Sequence, residues 1–243
     1  MRVFALLPLL LLVGCPSPDD TTAPNTDVCT LPETPPCVDA MILDLSLHEA
    51  VSTGVVTNVA DGDGWVTTVD ASAGGYQNAA SRPWVYLKFT DTGAQKVDIG
   101  DESALESMDW DLSARRFILR LNGGTSGPSC VGAAAFLERT YEDLTSVPDG
   151  MTFATDSYYT SDCTIINDSS GLPGSPQVAL APWWSYTDCV VTSSKPFLIQ
   201  LQDGRVVRFI VDSYYKTGQD GCNTGAGPGT DAGNYVMRWA FVQ

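Results

Sequence analysis

Apolar and polar residues alternate most clearly from Pro196 to Tyr215, PFLIQLQDGRVVRFIVDSYY, and this alternation predicts two antiparallel strands around Asp203-Gly204. A two-residue turn would set Ile199 against Arg208 and mix polar with apolar groups on both faces. A three-residue loop, Gln202-Asp203-Gly204 with Gly204 left-handed, pairs Phe197 with Phe209, Ile199 with Val207 and Leu201 with Arg205. That register gathers Phe197, Ile199, Leu201, Val207, Phe209 and Val211 on one face. A slip of one residue would turn them all outward, so the three-residue loop is expected.

The same period recurs elsewhere. A strand is expected early within 41–60, followed by a tight turn at Asp61-Gly62-Asp63-Gly64 into WVTTVD. PWVYLKFT alternates Trp84, Tyr86 and Lys88 with Val85, Leu87 and Phe89. Phe117, Leu119 and Leu121 alternate with Arg116, Ile118 and Arg120 as a half-buried strand ending at Asn122-Gly123-Gly124, and NYVMRWAFV supplies a last strand. GAAAFLERTYEDLTSV, residues 132–147, is the best helix candidate. Residues 148–182 and the glycine-rich 218–233 are loops. About eight to eleven strands with little helix predict an all-β fold of antiparallel sheets.

Residues 1–15, MRVFALLPLLLLVGC, carry a basic residue, a short apolar run and a small residue before Cys15. This is an export leader, too short to span a bilayer. Leu12-Val13-Gly14-Cys15 resembles a bacterial lipobox, which implies cleavage before Cys15, acylation of its thiol and an address at the outer membrane or cell surface. The expected organisation is a leader over 1–14, a Pro-, Thr- and Asp-rich tether over 15–40 and one β domain over 41–243. No later stretch is long and apolar enough to cross a membrane, so the lipid is the only expected membrane contact. A formal charge of −16 argues against nucleic acid as a partner.

Beyond Cys15 stand Cys29, Cys37, Cys130, Cys163, Cys189 and Cys222. An even number in an exported chain, with no CxxC spacing of a zinc site, predicts three disulfides. The pairing expected is a local clip of Cys29 with Cys37, then Cys130 with Cys163 and Cys189 with Cys222.

Enzyme chemistry finds little footing. His48 is the one histidine and has no nucleophile motif near it. No GxSxG elbow occurs. Glu138, Glu142 and Asp143 fall on a solvated stretch, and Asp61 with Asp63 lack the later ligands of a calcium loop. The chain is therefore expected not to be an enzyme. Aromatics including Trp84, Tyr86, Trp110, Trp183, Trp184, Tyr186 and Trp239 suit either a core or an apolar pocket. Met108, Met151 and Met237 read first as core residues, and as thioether ligands second.

PWVYLKF, Trp110-Asp111-Leu112 with RRFILRLNGGTSGPS, YEDLTSVPDGMTFATD, WWSYTDCVVTSSKPFLIQLQDGRVVRFIVDSYY and YVMRWAFV together resemble the HmuY-like family of bacterial haem-binding surface lipoproteins, over about residues 45–242. The resemblance implies a hand-shaped all-β domain that holds haem between two axial histidines or methionines and passes it to an outer-membrane transporter. With a single histidine, a bis-histidine site cannot form within one chain. Met151, in a loop-rich stretch, is the candidate haem-binding residue. Two functions follow: capture of haem or another small apolar ligand, or a structural or adhesive surface domain without cofactor, engaging a surface partner.

Overall fold

A computed structural model describes residues 29, 31–172 and 174–242. The leader, Cys15 and most of the expected tether lie outside them. Twelve strands occur among the described residues, all paired antiparallel: β1 (Val56–Asp61), β2 (Gly64–Asp70), β3 (Val85–Thr90), β4 (Gly93–Val97), β5 (Leu112–Arg115), β6 (Ile118–Leu121), β7 (Gly132–Ala135), β8 (Trp184–Tyr186), β9 (Val190–Thr192), β10 (Phe197–Gln200), β11 (Val206–Tyr215) and β12 (Ala232–Phe241). Three short α-helices accompany them, α1 (Val38–Asp44), α2 (Asp101–Ala104) and α3 (Asp220–Asn223), with 3-10 turns at Tyr76–Ser81 and Ala181–Trp183. The fold is all-β, as the alternation predicts.

Six strands form one sheet in the order β1-β2-β12-β11-β10-β7, and four form a second, β4-β3-β5-β6; β8 and β9 make a small ribbon. The β10–β11 hairpin has the register expected from its side chains, Phe197 opposite Phe209 and Ile199 opposite Val207. Gly204 sits at φ 84 in the three-residue loop, where an L side chain would be strained, and Leu201 N–H donates to Arg205 O at 2.8 Å. All six residues of the expected inner face are buried in the main core. There the two sheets meet: Phe89 of β3 lies edge-on to Trp239 of β12 at 4.8 Å and to Phe209 of β11 at 6.4 Å.

The four-stranded sheet is buried on its other face as well. Trp84, Tyr86 and Trp110 pack there under Met41, Leu45 and Leu47 from the α1 region and under Tyr158, Tyr159 and Val178. This second core explains why β5 and most of β6 are buried on both sides. Arg120, expected to face solvent, is instead fully buried. Its guanidinium donates to Tyr86 Oη at 3.1 Å and Ser113 Oγ at 3.3 Å, and lies 4.3 Å over the Trp84 ring.

Four expectations are corrected. Residues 132–135 are not helix: β7 pairs with the edge of β10, Ala135 against Phe197 and Ala133 against Ile199. An open sheet edge supplies backbone partners that outweigh the helix preference of three alanines. The expected strand around 41–60 is helix over 38–44 and becomes strand only at Val56. The continuous strand through 116–121 is a hairpin, turning at Arg116-Phe117 with Arg116 at φ 51.

The last correction concerns the cysteines. Cys189 pairs with Cys222 as expected, but Cys37 pairs with Cys163, 126 residues away, and neither the Cys29–Cys37 clip nor a Cys130–Cys163 bond is present. Cys37 immediately precedes α1, so this bond fastens the lid of the second core to the 158–178 loop beside it. Two disulfides of the three expected in number are thus present, and Cys29 and Cys130 are the described cysteines outside them.

Candidate functional site

A cavity of about 630 Å³ opens among four separate stretches, 154–157, 168–170, 177–185 and 193–195. Its size falls within the usual range for small-ligand pockets. Asp156 holds one wall in place from behind. Gly124, at φ 63, lies so close to the Asp156 backbone that a Cβ would stand 2.1 Å from Asp156 O, and this contact lets Thr125 N–H donate to that oxygen at 2.8 Å. The Asp156 carboxylate then accepts Leu121 N–H at 3.0 Å and Ala179 N–H at 2.7 Å, joining β6 to the 177–185 wall. The Gly123-Gly124 pair in the sequence thus serves close approach as well as a strand end.

Trp184 closes another side. It is buried against Phe117 at 4.8 Å and Trp183 at 6.0 Å while lining the cavity. Asp168 is occupied by its own loop, accepting Ser170 N–H at 3.0 Å and Ser175 Oγ–H at 2.8 Å. Lys195, half-buried, is the one cationic side chain of the lining. The arrangement offers an aromatic surface, serine and threonine hydroxyls and a single positive charge. It offers neither a nucleophile beside a base nor a pair of carboxylates sharing a proton.

Burial pushes Asp156 up to about 6, against the hydrogen bonds from Ser126, Ala179 and Leu121 that pull it down; burial likewise raises Asp111 to about 6. An unfolded aspartate titrates near 3.9. Because both folded values lie above it, their contribution to stability is complete below about pH 4 and is lost as pH rises through about 6. Two units correspond to about 3 kcal/mol for each group. Guanidinium unfolding at pH 4.5 and 7.5 is therefore expected to show greater stability at the lower pH, and Asp156→Asn to flatten that slope. Equal stability at both pH values in the unmodified protein would contradict this.

The residues singled out in the sequence are scattered. Met151 is half-buried in a turn, its N–H donating to Pro148 O at 3.2 Å, three residues before the cavity wall begins at Ala154 and not part of the lining. His48 is tied into the second core's rim, with Nε2 2.7 Å from Ala80 O and its backbone N–H donating to Asp101 at 2.9 Å. Asp63 pairs with Arg208 at 2.5 Å and Glu142 with Arg238 at 2.9 Å, while Asp143 accepts from Thr140. No cluster of three potential metal ligands occurs among the described residues, and no described helix is long and apolar enough to cross a membrane. Sequence reasoning missed Asp156 and Lys195. Both sit in irregular segments where no periodicity marks a side chain as inward-facing.

A family model described as HmuY protein matches residues 80–225, more than half of the chain. No curated protein matches. Among solved structures, a Bacteroides vulgatus protein described as HmuY-like and heme-binding is 16% identical, with a TM-score of 0.45 over 79% of this chain and 97% of that one. The apo HmuY analog of Tannerella forsythia is also 16% identical, with a TM-score of 0.45 over 79% of this chain and 98% of that one. By the extent of the family match, the chain belongs to the HmuY family.

Proposed function

We propose that this chain is an exported, lipid-anchored binding protein that captures haem or another small apolar ligand in the cavity lined by Trp184 and Lys195 and braced from behind by Asp156. The leader over 1–14 is removed, acylated Cys15 moors the domain at the outer membrane or cell surface, and the cargo passes to an outer-membrane transporter. Membership of the HmuY family carries this reading. The two disulfides agree with export to an oxidising compartment.

The lining suits a flat apolar molecule with an acidic group, Trp184 meeting its face and Lys195 its charge. It contains no histidine, methionine, cysteine or tyrosine, so the cavity alone does not fit an axially ligated haem. The thioether would have to come from Met151, outside the lining. Titration with haemin tests haem directly: a Soret shift that Met151→Ala removes would place the thioether as its ligand. No shift with the unmodified protein would discard haem. The missing axial donor also favours a second reading, a structural or adhesive surface domain without cofactor, for which no small molecule binds and surface crosslinking recovers a partner.

A further inference from the structure

The segment carrying Cys29 is laid along residues 128–130. Glu33 N–H donates to Pro128 O at 2.8 Å, and Cys29 Sγ lies 3.8 Å from the hydroxyl of Ser129, next to Cys130. Cys130 is itself held still: its backbone bridges Gly123, and Ser129 beside it donates its backbone N–H to Asn122 Oδ1 at 3.2 Å and its hydroxyl to Gln202 at 3.3 Å. Both cysteines are half-buried, and the other four cysteines of the described residues are already paired. Burial pushes the Cys130 thiol up to about 12, and the neighbouring Cys29 thiol adds to the shift.

We infer that Cys29 and Cys130 form a third disulfide, one that the order of cysteines along the chain does not suggest. The two thiols lose two protons and two electrons, and a disulfide of an export-compartment thiol oxidase accepts them and becomes a dithiol. With Cys37–Cys163, the new bond fixes both ends of the 29–37 segment against the body. The segment borders a cavity of about 480 Å³ lined by Pro32, Pro35, Leu105 and Pro128, and both bonds keep it seated there. Resting on the proposed acylation of Cys15, the bond also sets the tether: 14 residues separate Cys15 from Cys29, against 22 to Cys37. At about 3.4 Å per extended residue, the greatest reach falls from about 75 Å to about 48 Å.

Peptide mapping without reductant tests this on the full chain isolated from the envelope and blocked with N-ethylmaleimide. A glutamate-specific protease cuts after Glu33, which separates Cys29 from Cys37, and after Glu106 and Glu138, which isolates Cys130 from Cys163. The expected result is a peptide pair joining Cys29 to Cys130 that disappears on reduction, with neither residue labelled. Cys130→Ser is then expected to release one labelled thiol per chain, at Cys29, while Cys37–Cys163 and Cys189–Cys222 persist. Label on both Cys29 and Cys130 with the other two bonds formed overturns the inference and leaves the exported reading intact. A Cys29–Cys37 peptide, or an unlabelled Cys29 in Cys130→Ser, also overturns it. Label at all six cysteines overturns both.

Discussion

Replacing Cys37 and Cys163 together by serine is expected to lower the free energy of unfolding by ~3–5 kcal/mol. The bond joins residues 126 apart, and the chain entropy it removes from the unfolded ensemble corresponds to about 5 kcal/mol, or about 4 kcal/mol where a Cys29–Cys130 bond already shortens the loop, before allowance for structure remaining in that ensemble. The loss is also local. With the bond absent, the start of α1 loses its covalent tie, while Met41, Leu45 and Leu47 in the second core and the Tyr159 hydroxyl on Asp44 still hold the helix. Amide exchange at Met41 and Leu45, whose N–H groups donate within this helix to Cys37 and Met41, should rise more than exchange in β11 or β12. Guanidinium unfolding of the double variant under non-reducing conditions measures the first effect. A loss under 1 kcal/mol would mean that the bond constrains nothing.

Trp239→Ala should cost a similar amount for a different reason. The indole is fully buried between the sheets, edge-on to Phe89 at 4.8 Å and Phe241 at 5.7 Å, and its Nε1–H donates to Thr67 Oγ1 at 2.8 Å. Truncating a buried aromatic leaves a cavity and typically costs ~3–5 kcal/mol, and here Thr67 also loses its donor. Val59→Ala, on an exposed face of β1, serves as the control and should cost under about 0.5 kcal/mol. Equal unfolding midpoints for the two variants would contradict a core centred on this sheet contact.

The two disulfide bonds and the two cores show where sequence patterns were sufficient and where they were not. The β10–β11 hairpin was legible because its register depends on residues at most fourteen apart: the side-chain alternation and Gly204 agree, and the structure has that pairing. The Gly62 turn between β1 and β2 was legible for the same reason. GAAAFLER was misjudged because local propensity favours helix, whereas the deciding interaction is with β10 about 65 residues later. Arg120 looked solvent-facing because alternation identifies two faces of a strand without revealing that a helix from the start of the domain covers the second. Cys37–Cys163 joins the start of that helix to the 158–178 loop, 126 residues on, so proximity along the chain could not find it.

The cavity was the least legible feature. Its walls come from four separate stretches, mostly irregular and including the start of β8, brought together by backbone hydrogen bonds to Asp156 and by the packing of Trp184 on Phe117. Aromatic content raised the possibility of an apolar pocket. Most of those rings went into the cores instead: Trp84, Trp110, Trp183 and Trp239 are all almost fully buried, and Trp184 alone among the tryptophans lines the cavity. Met151, in a loop-rich stretch, lies three residues before the cavity wall and not among its lining residues.

Native mass spectrometry of the protein isolated from its own envelope, run beside Lys195→Met, tests the central claim most directly. Lys195 is half-buried and bears on the cavity without supporting either core, so its replacement should leave the fold intact. The account calls for one small-molecule adduct per chain in the unmodified protein, and for roughly tenfold or greater weakening in the variant, as expected for loss of a charge-assisted contact. A bare chain mass in both proteins, together with no small molecule retained on titration, would contradict a holding function and leave the adhesive reading in its place.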